Sequence, residues 1–139
     1  MSDFVLREIL GSKMYLLAND PGISRSLIRS GIREPNTVQV IQKIVKPGMT
    51  VIDVGANLGY YALLESMLVG PNGKVYAIEP VEENYRVLCE NIRLNNCRNI
   101  EVFPLAVGDK AGEQEIFLSK HSNRGTMIDL NGASEFYRQ

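Results

Sequence analysis

Thr50-Val-Ile-Asp-Val-Gly-Ala-Asn-Leu-Gly59 decides how the rest of the chain is read. Thr50 to Val54 is a short apolar run of strand length, and Gly55 follows it at once. Helical spacing then appears in Leu58, Tyr61, Ala62, Leu64 and Leu68, until Gly70-Pro71 stops it. Asn72-Gly73 turns the chain into a second apolar run, Lys74-Val-Tyr-Ala-Ile-Glu79. Pro80 opens a second helix with a stripe of Val81, Tyr85, Leu88 and Ile92, which Asn95-Asn96 closes. Ile100-Glu-Val-Phe103 is a third strand. Nearly continuous apolar runs suit strands covered on both faces, as in parallel sheets. The βαβαβ succession is half of a doubly wound α/β sheet, and right-handed crossovers put its parallel strands in the order 3-2-1. Pro104 lacks an N–H and fits an outermost third strand.

On the N-terminal side, Phe4–Leu10 and Lys13–Leu17 flank Gly11-Ser12, a pair suited to a two-residue hairpin turn. A short helix runs through Ser26-Leu-Ile-Arg29 and ends near Gly31. Pro35 fits the first turn of another, with Val38, Ile41, Ile44 and Val45 at helical spacing and Pro47-Gly48 as its stop. On the C-terminal side, Asp109-Lys-Ala-Gly112 reads as a turn into an added antiparallel strand, Glu115-Ile-Phe-Leu118. A polar loop, 119–125, follows, and Thr126–Leu130 could form one more strand. Residues 1–47 are therefore a hairpin and helical cap, and 48–139 are the sheet-bearing part.

The 139 residues amount to one domain at roughly 150 residues each. Hydrophobic residues at 45% and charged residues at 22% set aside disorder, collagen-like repeats and coiled coil. Fifteen Lys and Arg against sixteen Asp and Glu leave a net charge of −1, with no basic excess to grip nucleic acid or an anionic membrane. No apolar run approaches the ~18 residues of a membrane span. Met1-Ser-Asp-Phe4 lacks a signal pattern, so a cytoplasmic location is expected. Cys89 and Cys97 are not in a C-x-x-C pair and His121 is the single histidine, so no metal site is expected.

The chemistry lies in Asp53, Gly55, Asn57, Gly59 and Glu79, which sits 20 residues beyond Gly59 at the end of the second strand. Gly55 lets the backbone leave the strand sharply and leaves room for a ligand against the main chain. Gly59 lets the helix start pack close to the sheet, and the free N–H groups there favour an anionic group. Glu79 has two acceptor oxygens, suited to the two hydroxyls of a ribose. A dinucleotide fingerprint would place a glycine where Asn57 stands. Asp53 is awkward beside a pyrophosphate but useful beside an ammonium and a sulfonium. The pattern D-x-G-x-x-x-G followed by Glu resembles S-adenosylmethionine-dependent methyltransferases of the Rossmann-like class.

Asn19–Ser24, Gly31–Pro35, Val51–Tyr61, Ala77–Pro80 and Ala106–Lys110 together resemble an FkbM-type methyltransferase over nearly the whole chain. The resemblance implies a Rossmann-like methyltransferase half-domain using S-adenosylmethionine. It also implies transfer to a hydroxyl oxygen, on a sugar or small metabolite. Carried over by position, Asp53, Gly55, Asn57 and Gly59 surround the methionine part of the cofactor and Glu79 holds the ribose. Pro80 sits where the adenine rests, and Ala106 lies near the adenine edge. The family's fourth strand, ending in an acidic motif, has no counterpart before Gln139, so no catalytic base is assigned.

Plainer roles compete for several of these residues. The two glycines alone suit strand-to-helix packing, Asp53 can bond turn N–H groups, and Asn57 suits a helix cap. Tyr60 and Tyr61 read as packing, His121 as a solvated loop residue and both cysteines as inert thiols. Val51–Val54 has no sequence candidate for its outer side, which points to self-association through that edge or to patching by the N-terminal hairpin. Two other functions stay open: a non-catalytic half-domain binding an adenosine-containing ligand or a partner, and a nicotinamide-dependent oxidoreductase.

Overall fold

A computed structural model describes residues 4–113, 115–119, 125–126 and 136–138. The chain opens with an antiparallel hairpin, β1 (Phe4–Ile9) and β2 (Ser12–Leu17), and two helices, α1 (Ile23–Ser30) and α2 (Pro35–Ile44). The βαβαβ unit follows as β3 (Thr50–Val54), α3 (Tyr60–Val69), β4 (Lys74–Ile78), α4 (Glu82–Leu94) and β5 (Ile100–Phe103). Three short strands come last: β6 (Phe117–Ser119), β7 (Gly125–Thr126) and β8 (Phe136–Arg138).

The parallel sheet has the order β3-β4-β5, the expected 3-2-1 arrangement. Its register puts Val51, Val75 and Ile100 in one row and Asp53, Ala77 and Val102 in the next, on the face where α3 and α4 pack. Those residues form one core cluster with Val45, Ala62, Val69 and Leu88. The opposite face carries Ile52 and Val54, which are 63% and 60% exposed, beside Tyr76 and Phe103. A second cluster joins Ile9, Met14, Leu16, Ile23, Leu27 and Val38 to Leu58, Tyr60, Leu63, Leu64 and Val87. The N-terminal elements thus share a core with the helices of the βαβαβ unit.

Several sequence expectations need correction. The hairpin turns at Leu10-Gly11 rather than Gly11-Ser12, because both central residues of this turn need positive φ (48° and 84°) and Ser12 already pairs with Ile9. The hairpin does not patch the outer edge of β3; it forms its own two-stranded sheet and packs against α4 and α1. β6 does not extend the parallel sheet but lies between β7 and β8 in a separate antiparallel sheet. Ile44 is 61% exposed, leaving Val38 as the buried residue of α2. On α4 the buried face is Asn84, Val87, Leu88 and Asn91, turned from the expected stripe because two asparagines have partners inside. His121 and the expected strand residues beyond Thr126 lie outside the described residues.

Candidate functional site

The site forms where β3 and β4 end. At Gly55 the backbone takes φ +82°, and a Cβ there would meet nothing within 4 Å, so the turn faces open space. The Gly55 and Ala56 N–H groups both donate to Ile78 O, at 2.8 and 3.0 Å, folding the loop across the end of β4. Asn57 has φ 52°, and its backbone N–H donates to Glu79 Oε2 at 2.8 Å. Gly59 precedes α3 with φ +94°, and its N–H donates to Ala56 O at 2.8 Å. A Cβ on Gly59 would lie 2.7 Å from Leu88 Cδ1, so glycine is what lets α3 approach α4. Asp53, Gly55, Asn57, Gly59 and Glu79 are therefore brought together. Pro80 follows Glu79 directly, and Ala106 is exposed, three residues beyond β5 at the same end of the sheet.

Glu79 is only 3% exposed. Oε1 accepts from the Val81 N–H at 2.9 Å and from Asn84 Nδ2 at 3.3 Å, while Oε2 accepts from Asn57. Burial raises its carboxyl above the ordinary value, and these three hydrogen bonds pull it back. A carboxylate offers about four acceptor positions. With three taken by the protein, Glu79 holds the loop as well as facing the site, a dual role the sequence did not show.

Asp53 points to the helix side of β3. Burial, then the charge of Glu79, raises its carboxyl to about 6 against the lowering influence of the Ala62 backbone N–H. Its Oδ2 is buried without a hydrogen-bond partner, and so is Oε2 of Glu65 on α3. Glu65 is 7% exposed, and burial followed by the charge of Asp53 raises it to about 7. An unpaired buried carboxylate is costly, so these groups favour a proton or a cationic neighbour. Sequence reading passed over Glu65, Asn84 and Asn91. The available signal was the spacing of Asn84, Leu88 and Asn91, polar and apolar residues on one helical face.

Tyr60 is a packing residue with an added tie. It is 2% exposed, and its hydroxyl donates to Arg33 O at 2.9 Å and accepts from Arg33 N–H at 3.0 Å. The Tyr61 hydroxyl donates to Glu34 Oε2 at 2.9 Å. Cys89 and Cys97 are free and half-buried. Among the described residues, no group of three or more His, Cys, Asp or Glu could hold a metal ion, and no helix is long and apolar enough to cross a membrane.

A parallel sheet with a glycine turn and a paired acid at its carboxyl end is the frame of a Rossmann-like, S-adenosylmethionine-dependent methyltransferase. The chain belongs to the TRM5/TYW2 methyltransferase domain family, whose model matches residues 30–138. The structure of TYW2 from M. jannaschii in complex with AdoMet superposes with a TM-score of 0.59 and 26% identity, over 75% of this chain and 43% of that one. A protein-L-isoaspartate O-methyltransferase from Aeropyrum pernix is 41% identical over 64 residues, 46% of this chain and 24% of its own length. A ribosomal protein L11 methyltransferase from Caldanaerobacter subterraneus is 33% identical over 86 residues, 60% of this chain and 26% of its own length. The chain spans about a quarter to a third of the length of the curated relatives it matches. The methyltransferase class expected from sequence holds, whereas the family is TRM5/TYW2 and the FkbM subtype has no support.

Proposed function

We propose that the loop from Asp53 to Gly59, with Glu79, binds S-adenosylmethionine for transfer of its methyl group to a macromolecular acceptor. The observation that carries this is the contact from Asn57 N–H to Glu79 Oε2, which joins the glycine loop to the acid of the next strand. The residues present suit the cofactor. Asp53 Oδ2 is a buried oxygen with no partner, which an ammonium would satisfy, and the space beside Gly55 is open to a ligand chain. Glu79 retains about one acceptor position for a ribose hydroxyl. Pro80 and Ala106 flank the place for the adenine.

When bound, S-adenosylmethionine supplies a sulfonium methyl that is already activated. The loop and Glu79 hold and orient it, and burial around Leu58 and Tyr60 keeps water from one side. The matching family and the relatives' names support a macromolecular acceptor in place of the sugar or metabolite hydroxyl implied by the FkbM resemblance. Calorimetric titration with S-adenosylmethionine, S-adenosylhomocysteine and NAD tests the reading. Micromolar binding of the first two and none of NAD is expected. Glu79→Ala is expected to lower S-adenosylhomocysteine affinity about tenfold or more; an unchanged affinity removes Glu79 from the site.

A second reading concerns assembly. The outer edge of β3 has no strand partner among the described residues, and Ile52 and Val54 lie exposed on the uncovered face beside it. Parallel sheets are normally covered on both faces, so this surface supports self-association or completion by a partner. Light scattering after size exclusion, with hydrogen exchange at Val51–Val54, separates a dimer protected at that edge from an unprotected monomer.

A further inference from the structure

Most of the loop Gly55–Gly59 is held by local hydrogen bonds, but one of its anchors comes from far away in the chain. Gly55, Ala56, Asn57 and Gly59 use partners in the loop or at the end of β4. The Leu58 carbonyl instead accepts a hydrogen bond, at 2.8 Å, from Nδ2 of Asn91, a fully buried residue on α4. The same side chain grips the N-terminal hairpin. Its Oδ1 accepts the Tyr15 N–H at 2.6 Å, and its Nδ2 donates to Tyr15 O at 3.1 Å. Asn91 thereby completes the open edge of β2 as a neighbouring strand would and carries that attachment to the loop.

The peptide between Leu58 and Gly59 is planar, so fixing the Leu58 carbonyl also fixes the Gly59 N–H and the start of α3. The carbonyl lies between two residues with positive φ, Asn57 and Gly59, where no regular hydrogen-bond ladder would hold it. We infer that Asn91 is a positioning residue for cofactor binding, transmitting the seating of the N-terminal hairpin to the loop through the Leu58 carbonyl. This inference rests on the proposed use of that loop for S-adenosylmethionine.

Asn95, one turn further along α4, supplies the control. It clamps Lys13 with the same amide pattern, accepting from Lys13 N–H at 2.9 Å and donating to Lys13 O at 2.6 Å. Its other donated bond goes to Asn91 O within α4, and it does not bond the loop. Asn91→Asp keeps the shape and an acceptor for Tyr15 but sets an oxygen against the Leu58 carbonyl. It is expected to weaken S-adenosylhomocysteine binding about tenfold or more, while Asn95→Asp stays within about twofold of wild type at similar folded content. Equal affinities for the two variants overturn the inference.

Should Asn91→Asp not fold, hydrogen exchange on the wild type decides. Coupling is reciprocal, so S-adenosylhomocysteine should slow exchange at the Tyr15 N–H markedly more than at the Lys13 N–H. Equal or absent protection at the two positions removes Asn91 from this role. A wild-type chain with no affinity for S-adenosylhomocysteine instead sinks the proposed function itself.

Discussion

Gly55 and Gly59 both carry positive φ, yet a methyl group added to each has different consequences. At Gly59 it would run into Leu88 Cδ1, so strain and overpacking combine. Gly59→Ala is expected to cost about 2–4 kcal/mol in denaturant unfolding. At Gly55 the space is open, so Gly55→Ala should cost only about 1–2 kcal/mol of backbone strain while obstructing the ligand. Its loss should therefore appear in S-adenosylhomocysteine affinity more than in stability; the reverse pattern would contradict the open-cradle assignment. Glu65 and Asp53 make a pH prediction. Their carboxyls rise from 4.5 and 3.8 to about 7 and about 6 on folding, so the folded state binds more protons in the intervening range. Their stabilising effect is full below about pH 4 and is lost as pH rises through about 6 to 7. Glu65→Gln should accordingly gain roughly 1–2 kcal/mol at about pH 8, after allowance for solvent screening, and almost nothing near pH 4. Denaturant titrations at both pH values would expose a gain that does not depend on pH, which this account forbids.

At the scale of single elements, α1 shows how a short helix is held. Asp20 accepts the Gly22 N–H on Oδ1 at 2.8 Å and the Ser24 N–H on Oδ2 at 2.9 Å, and Gly31 closes the other end with φ 68°. Asp20→Ala is expected to cost about 1 kcal/mol, read as a lower thermal midpoint; no shift would mean that packing of Ile23 and Leu27 alone sets the helix. Its stop at Gly31 is visible in the sequence, whereas its start at Ile23 lies three residues ahead of the Ser26–Arg29 stretch expected to be helical. The orientation of α4 is not visible there. A stripe of Val81, Tyr85, Leu88 and Ile92 is the natural apolar reading, but Asn84, Val87, Leu88 and Asn91 face inward. An amide counts as polar in any periodicity, and only the positions of Glu79, Tyr15 and Leu58 show that Asn84 and Asn91 are satisfied there.

For the whole molecule, the decisive feature is a parallel sheet with helices on one face. Ile52 sits on the other face, opposite Tyr76 in register, and is 63% exposed. Ile52→Lys is expected to reduce any concentration-dependent association and raise solubility without lowering the unfolding midpoint, because the side chain is already mostly exposed. Light scattering of the variant against wild type measures this; a dimer of unchanged strength would place the contact elsewhere. The βαβαβ order, its 3-2-1 topology and the meeting of Asp53, Gly55, Asn57 and Glu79 were legible in advance. The separate sheet of β6, β7 and β8 was not, since strands of two or three residues carry too little periodicity to identify a partner.

What Thr50–Gly59 and Glu79 determined by themselves is the class of fold and the end of the sheet at which Gly55, Asn57 and Glu79 meet. Apolar runs, glycine turns and right-handed crossovers leave few other arrangements. Tertiary structure alone decided that Glu79 accepts from Asn57, Val81 and Asn84 and so ties the glycine loop to the start of α4. It also decided that Glu65 joins Asp53 in a buried acidic pair and that the N-terminal hairpin reaches the loop through Asn91. Each of these depends on groups distant in sequence meeting in a site of low dielectric, and neither hydrophobic period nor motif spacing records which polar atoms will meet there.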